Sequence, residues 1–237
     1  VCIYRIPEGK SVIHPGSACP RCHTPIPFYY NIPILSYCLL KGRCRYCREP
    51  FSPRYLAVEG MTAVFALMLY LKFSLSLPFI YWFVFIAVLI TISMIDIDHQ
   101  IIPDVISLPG ILLFSSSFFF LPEMDITKTG IGILAGGGSL YLVAFLYYLV
   151  KKQEGLGGGD IKLLAMIGAA TGAKGVIFTI FTSSVLGTLI GISIMMMTKK
   201  PGQGLRIPFG PFLSLGAVLY IFWGDRLIEW YLGTFAG

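Results

Sequence analysis

Past residue 55 the chain is written in long apolar blocks divided by short polar interruptions, and before that point no such block occurs. A helix needs about twenty apolar residues to cross a bilayer, and stretches of that order recur down the chain. They predict helices over 57–77, 79–95, 105–121, 131–150, 161–171, 176–197 and 209–223. The segment opening at Ile161 is short, so it is expected to tilt, to start deeper, or to continue through the turn TGAKG. No internal repeat is evident. The expected fold is an all-α polytopic membrane protein: about seven spanning helices in a domain 56–237, behind a small separate domain, 1–55.

Composition removes the soluble alternative. Hydrophobic residues make up 56% of the chain, charged residues 13%, and the mean hydropathy is +0.78; soluble domains carry about a quarter charged residues. The chain opens on VCIYRIPEGK without Met, and nothing resembles a cleavable signal peptide. One more spanning segment is therefore expected upstream.

Net charge is +6, and its placement says more than its size. Residues 1–55 hold eight of the eighteen Lys and Arg; Lys151, Lys152, Lys162, Lys199, Lys200 and Arg206 fall on the same side if the helices alternate. Only Lys72, Lys128, Lys174 and Arg226 fall on the other, fourteen against four. Cytoplasmic loops are the ones enriched in Lys and Arg. The N-terminal domain is expected in the cytoplasm, and the loops DIDHQIIPD and GLGGGD on the same face.

All six cysteines lie in the first fifth of the chain, four of them in two tight pairs, CPRC (Cys19, Cys22) and CRYC (Cys44, Cys47). Two C-x2-C knuckles with 21 residues between them can supply four thiolates to one tetrahedral Zn(II), as in a zinc ribbon. The alternatives are two disulfides or four unligated thiols, and a cytoplasmic placement disfavours disulfides. Cys2 and Cys38 have no partner motif. Zinc ribbons often bind nucleic acid, but basic residues beside a membrane need no such partner. Anionic lipid and the topology rule account for them, and no nucleic-acid partner is expected.

The remaining chemistry is carboxylate chemistry. In EGLGGGDIKLL the run Gly157, Gly158, Gly159 allows a close backbone approach, and Asp160 falls where a helix N-cap would be. Taken alone this is a loop with a capping Asp. A second apolar block ends in SMIDIDHQIIPD, with Asp96 directly after VLITISMI. A carboxylate at an apolar helix end is costly to keep ionised and is a functional candidate by default. Asp98, His99 and Asp104 read more simply as a solvated turn, with Asp104 able to cap the helix that Pro103 begins.

Facing carboxylates that share one proton can hydrolyse a peptide without a metal: the ionised partner draws a proton from water while the protonated one polarises the carbonyl. Competing site types find no support. H-E-x-x-H, G-x-S-x-G and G-x-x-x-x-G-K-[ST] are missing, and the glycine run is not G-x-G-x-x-G. Two other classes stay open. A proton-coupled transporter would also use intramembrane aspartates, and a membrane-anchored zinc-ribbon scaffold would leave Asp96 and Asp160 idle.

Taken together, SACPRCHTPIPFYYNIPILSY, the cysteine pairs, MIDIDHQIIPDVISLP, GLGGGDIKLLAMIGA and IPFGPFLSLGA resemble the bacterial type IV prepilin leader peptidases, G-x-G-D intramembrane aspartyl proteases. The similarity runs over nearly the whole chain and in order. It implies that Asp96 and Asp160 are the catalytic pair. The implied activity is removal of the basic leader from type IV prepilins and type II secretion pseudopilins, after a Gly, at the cytoplasmic face of the bacterial inner membrane. Many members also methylate the new N-terminus with S-adenosylmethionine, for which this chain shows no separate signature. Members of the family usually begin with one more membrane helix carrying a GSFLN-like stretch.

Overall fold

The computed structural model describes residues 1–19, 21–30, 32–153, 157–197 and 207–235. Nine α-helices occur among them: α1 Cys2–Arg5, α2 Leu35–Leu39, α3 Pro53–Phe73, α4 Leu77–His99, α5 Asp104–Phe114, α6 Ser117–Phe120, α7 Ile126–Lys151, α8 Gly158–Met197 and α9 Gly210–Phe235. No strand is present among the described residues, only two isolated antiparallel bridges. Five helices, α3, α4, α7, α8 and α9, are long and apolar enough to cross a membrane, and α5 is a shorter apolar helix. The protein is a multi-pass, all-α membrane protein.

Each of the seven expected segments is helical, and the differences lie at their ends. α3 begins at Pro53 because Ser52 caps it, accepting the Arg54 N–H, with Pro at the first helical position. α7 starts five residues early because the Asp125 carboxylate accepts the Lys128 N–H at 2.7 Å. The expected helix 105–121 is broken in two. Ser115 and Ser116 turn their hydroxyls back onto the carbonyls of Ile111 and Leu113, closing α5 before α6 begins.

The expected helices 161–171 and 176–197 are two limbs of α8, joined through Gly172 at φ 68°, ψ −176°. A straight 40-residue helix would be about 60 Å long, twice a bilayer's hydrocarbon core. The break is what lets two apolar limbs share one element, and its φ is one that only glycine adopts without strain.

By packing, the chain divides into two compact units, Val1–Ile90 and Thr91–Gly237. In the first, an aromatic cluster of Tyr81, Trp82 and Phe85 is buried on α4, with ring centroids 5.2 Å and 5.6 Å apart along the series. In the second, α8 is the central element and packs on α5, α7 and α9. Its first limb, from Leu163 to Gly172, is buried on all sides. Close approach is secured by small residues: a Cβ on Gly132 would strike the Gly168 carbonyl, and one on Gly136 the Leu164 carbonyl. Gly132 and Gly136 form a G-x-x-x-G on α7, the spacing that lets membrane helices meet backbone to backbone. Ser117 ties the bundle further, hydrogen-bonding Thr129 at 2.9 Å and the Ala169 carbonyl at 3.0 Å.

Candidate active site and metal centre

Four elements of the second unit converge at one end: the last turn of α4, the link into α5, and the first turns of α8 and α9. α4 runs through Asp96, ending where Gln100 turns to φ 54° and returns its N–H to the Asp96 carbonyl at 2.9 Å. Asp96 is consequently helical and 5% exposed, buried with Ile92 and Ile95 on one face, whereas Asp98 and His99 point to the exposed side. Its Oδ2 accepts the backbone N–H of Gly210 at 2.9 Å.

Asp160 is not an N-cap. α8 starts at Gly158, so Asp160 is the third residue of its first turn, half-buried, with its N–H on the Gly157 carbonyl at 3.1 Å. Glycine is tolerated inside that turn because Ile102 takes the room: a Cβ on Gly159 would lie 2.8 Å from the Ile102 Cβ. The same Ile102 reaches Gly210, with its Cδ1 3.3 Å from where a Cβ there would be. One side chain thus lies against both the backbone that carries Asp160 and the backbone that binds Asp96. The two carboxylates, 64 positions apart in sequence, are close enough to interact electrostatically.

Gly157 and Gly158 are exposed, and a Cβ on Gly158 would meet nothing within 4 Å. Residues 154–156, the upstream part of the glycine stretch, lie outside the described residues, as do Lys199, Lys200 and Arg206 of the charge count. Asp104 does not cap α5, whose N-cap is Pro103; its carboxylate instead binds the Lys162 Nζ at 2.6 Å, joining the starts of α5 and α8. Gly210, Ile102 and Lys162 were not singled out by the sequence reasoning as site residues. A Gly-Pro opening the last apolar block signals a helix start, but nothing local tells which carboxylate its N–H meets.

The first unit holds the metal candidate. Cys19, Cys22, Cys44 and Cys47 place their Sγ atoms within 4.8 Å of one another, with Cys19–Cys47 at 3.7 Å and Cys22–Cys44 at 4.0 Å. Thiolates around a tetrahedral zinc stand about 3.8 Å apart for Zn–S bonds of about 2.3 Å. The donor set fits.

The two knuckles are copies of one another, displaced from Cys19 to Cys44, a short repeat that both share in sequence as C-x2-C-x2-P. Each first Cys donates its N–H to a carbonyl five residues on (Thr24, Glu49) and accepts from the residue four on (His23, Arg48), which sits at φ 55° or 56°. Each is flanked by one bridge, Ala18–Pro25 and Arg43–Pro50, and the Arg21–Glu49 ion pair at 2.6 Å links the two. Hydrogen bonds from the Thr24 hydroxyl and N–H bring the Cys22 thiol down to about 6. Cys47 receives the Glu49 N–H, yet burial and its bonds to Cys44, Cys19 and Cys22 push it up to about 11. Four thiols crowded together keep a proton among them that a dication would displace. Cys2 and Cys38 lie exposed.

The first unit also contains a cavity of about 450 Å³ edged by Tyr4, Tyr30, Tyr37, Phe51, Tyr55 and Glu59.

Comparison with known proteins identifies the family. Residues 1–73 match the model of the bacterial peptidase A24 N-terminal domain, and residues 83–192 that of the type IV leader peptidase family. A prepilin leader peptidase/N-methyltransferase of Aeromonas salmonicida (strain A449) is 35% identical over 230 residues, covering 96% of this chain and 78% of that protein. Proteins with the same description from Pseudomonas aeruginosa (36% over 237 residues, 98% and 80%) and Legionella pneumophila (34% over 223 residues, 92% and 76%) are similar to the same extent. No solved structure matches. Family models over residues 1–73 and 83–192, and relatives about a third identical over nine-tenths or more of this chain, leave one assignment: the chain belongs to the type IV leader peptidase family.

Proposed function

We propose that the protein is a membrane-embedded aspartyl endopeptidase that removes the leader from type IV prepilins, with Asp96 and Asp160 as its catalytic pair. The observation that carries this reading is the convergence of the two carboxylates at the ends of α4 and α8, on either side of Ile102 and close enough to interact, in a bundle of otherwise apolar helices. Like charges held close together in a low-dielectric site share one proton between them. The charged carboxylate takes a proton from water as the water oxygen bonds to the scissile carbonyl carbon, and the other gives its proton to the carbonyl oxygen. Collapse breaks the C–N bond: the departing nitrogen takes the proton from the first carboxyl, and the second regains one from a hydroxyl. Acid and amine are the products, and no co-reactant is needed.

The exposed backbone at Gly157 and Gly158 gives an extended substrate strand a side-chain-free edge. We place this end of the bundle and the domain 1–55 at the cytoplasmic face, from the fourteen-to-four Lys and Arg bias. There a basic leader and an apolar stem can be held by water and lipid respectively. Type II pseudopilins share that design and belong to the same substrate class. In the domain 1–55, Cys19, Cys22, Cys44 and Cys47 hold Zn(II), which orders a segment with little core of its own; residues 56–237 form the protease domain.

The relatives' second named activity, N-methyl transfer, extends to this chain with S-adenosylmethionine as donor. The tyrosine-edged cavity of the first unit is its proposed site: aromatic faces suit both an adenine and a sulfonium cation, and Glu59 offers a carboxylate. The cofactor would supply the methyl group to the new terminal amine.

The deciding experiment incubates the purified protein in detergent with prepilin and reads the products by mass spectrometry. Cleavage by the wild type, lost in Asp160→Asn, is expected. Wild-type cleavage by that variant would sink the proposal.

A further inference from the structure

The hydrogen bond between Gly210 and Asp96 makes the two carboxylates unequal. At the start of α9 the four leading backbone groups can be accounted for completely. Pro211 has no N–H, and those of Phe212 and Leu213 return to the Phe209 carbonyl at 3.0 Å and 3.2 Å. The Gly210 N–H is the one left to point outward, and it points at Asp96 Oδ2, at 2.9 Å. The residue has to be glycine for this. A Cβ at 210 would stand 2.6 Å from that same oxygen and 3.3 Å from the Asp96 Cγ. Asp160 has no matching donor: its side chain makes no hydrogen bond among the described residues, and its Oδ2 lies 3.4 Å from where a Cβ on the exposed Gly157 would be.

We propose that Gly210 is a positioning residue for the reaction: its backbone N–H fixes Asp96 as the charged partner that takes the proton from water, leaving Asp160 to deliver the proton to the scissile carbonyl. This rests on the reading of Asp96 and Asp160 as the catalytic pair. A backbone N–H can only donate, so the oxygen facing it is an acceptor and not a carboxylic O–H. The bond is charge-assisted and sits at the positive end of a 26-residue helix, both of which favour a negative oxygen there. Unlike a side-chain donor, it cannot rotate away during the cycle. Asp160, without a side-chain hydrogen bond among the described residues and beside the open glycine backbone, is the member that can follow the carbonyl oxygen as it moves from trigonal to tetrahedral. Among the described residues, the other ionisable groups at this end are Asp98 and His99 on the exposed side of α4, and Asp104 on α5 held to Lys162 on α8.

The test uses the full protein in detergent with a prepilin substrate, and compares Gly210→Ala with Gly233→Ala, a glycine of the same helix with open space around it. In Gly210→Ala, kcat is expected to fall about a hundredfold or more, as when one preorganised donor is lost, with KM within about threefold. The acid limb of the pH–rate profile should shift toward higher pH, because the charged form has lost its donor. Loss of folded protein would scale the whole profile and move neither limb. Gly233→Ala should match the wild type. A second variant replaces the Gly210 amide with an ester, removing the N–H and adding no bulk; it should reproduce the limb shift even if the alanine variant fails to fold. An ester variant with wild-type kcat and an unmoved profile overturns the proposal. If Asp96→Asn is inactive in the same assay while the ester variant is normal, only the role of Gly210 falls. If Asp96→Asn cleaves normally, the catalytic pair itself is wrong.

Discussion

At the scale of single residues, the two carboxylates are expected to fail together. Asp96→Asn and Asp160→Asn keep shape and lose the shared proton, so each should lower prepilin cleavage by several orders of magnitude. The double variant should be no worse than either single one, since neither residue runs the cycle alone. Asp98→Asn and Asp104→Asn should do far less harm. The glycines separate packing from docking. Gly158→Ala meets nothing inside the protein, so a rise in KM there would report an obstructed substrate strand; Gly159→Ala runs into Ile102 and should lose stability as well. Asp96 and Asp160 stand out in the sequence as candidates because a carboxylate beside an unbroken apolar block has few structural uses. Gly210 and Ile102 do not, because what they do depends on neighbours more than fifty positions away.

At the scale of elements, caps and breaks decided where helices begin and end. The Asp125 carboxyl is held below its ordinary range first by the Thr127 hydroxyl and then by the Lys128 N–H. A depressed carboxyl contributes stability that is fully present above its unfolded value of about 3.9 and is lost as pH falls through the folded value. Asp125→Ala should therefore unfold at a lower temperature than the wild type at pH 7, and the gap should be narrower at about pH 3. Thermal scans at the two pH values check it. On α7, Gly132→Val drives a side chain into the Gly168 carbonyl and should cost about 1–3 kcal/mol, whereas Gly138→Ala, with open space, should be silent. Hydropathy located all seven apolar segments, since each must be long enough to bury its backbone. It left open whether the segments at 161–171 and 176–197 are one element, because the link TGAKG carries both a glycine at the break and the charge of Lys174 and reads equally as a turn or a kink.

At the scale of the whole molecule, the metal centre and the carboxylate pair should be separable. Chelation is expected to release zinc and expose four alkylatable thiols in residues 1–55, while the helical circular dichroism of the spanning segments persists. Metal analysis with thiol counting checks it, and a zinc-free protein as purified would contradict the site. Labelled S-adenosylmethionine with cleaved pilin tests the second activity; cleavage without any methylation would confine the protein to proteolysis. The cysteine pairs were readable because ligand spacing is local. Their duplication is carried in sequence only by C-x2-C-x2-P, too short to stand out as a repeat until the shared backbone hydrogen bonds and turn angles are seen.

Gly210 and Gly159 carry a consequence for how such a protein can change. Every missense substitution at a glycine adds atoms, and at these two positions the space beyond the Cα is already taken by Asp96 or Ile102. Random mutation therefore has no smaller alternative to sample there. A lineage could replace Ile102 or lengthen the α8–α9 connection, but it could move these two backbones only by changing a neighbour first. The order in which substitutions accumulate would then be constrained as tightly as the residues themselves.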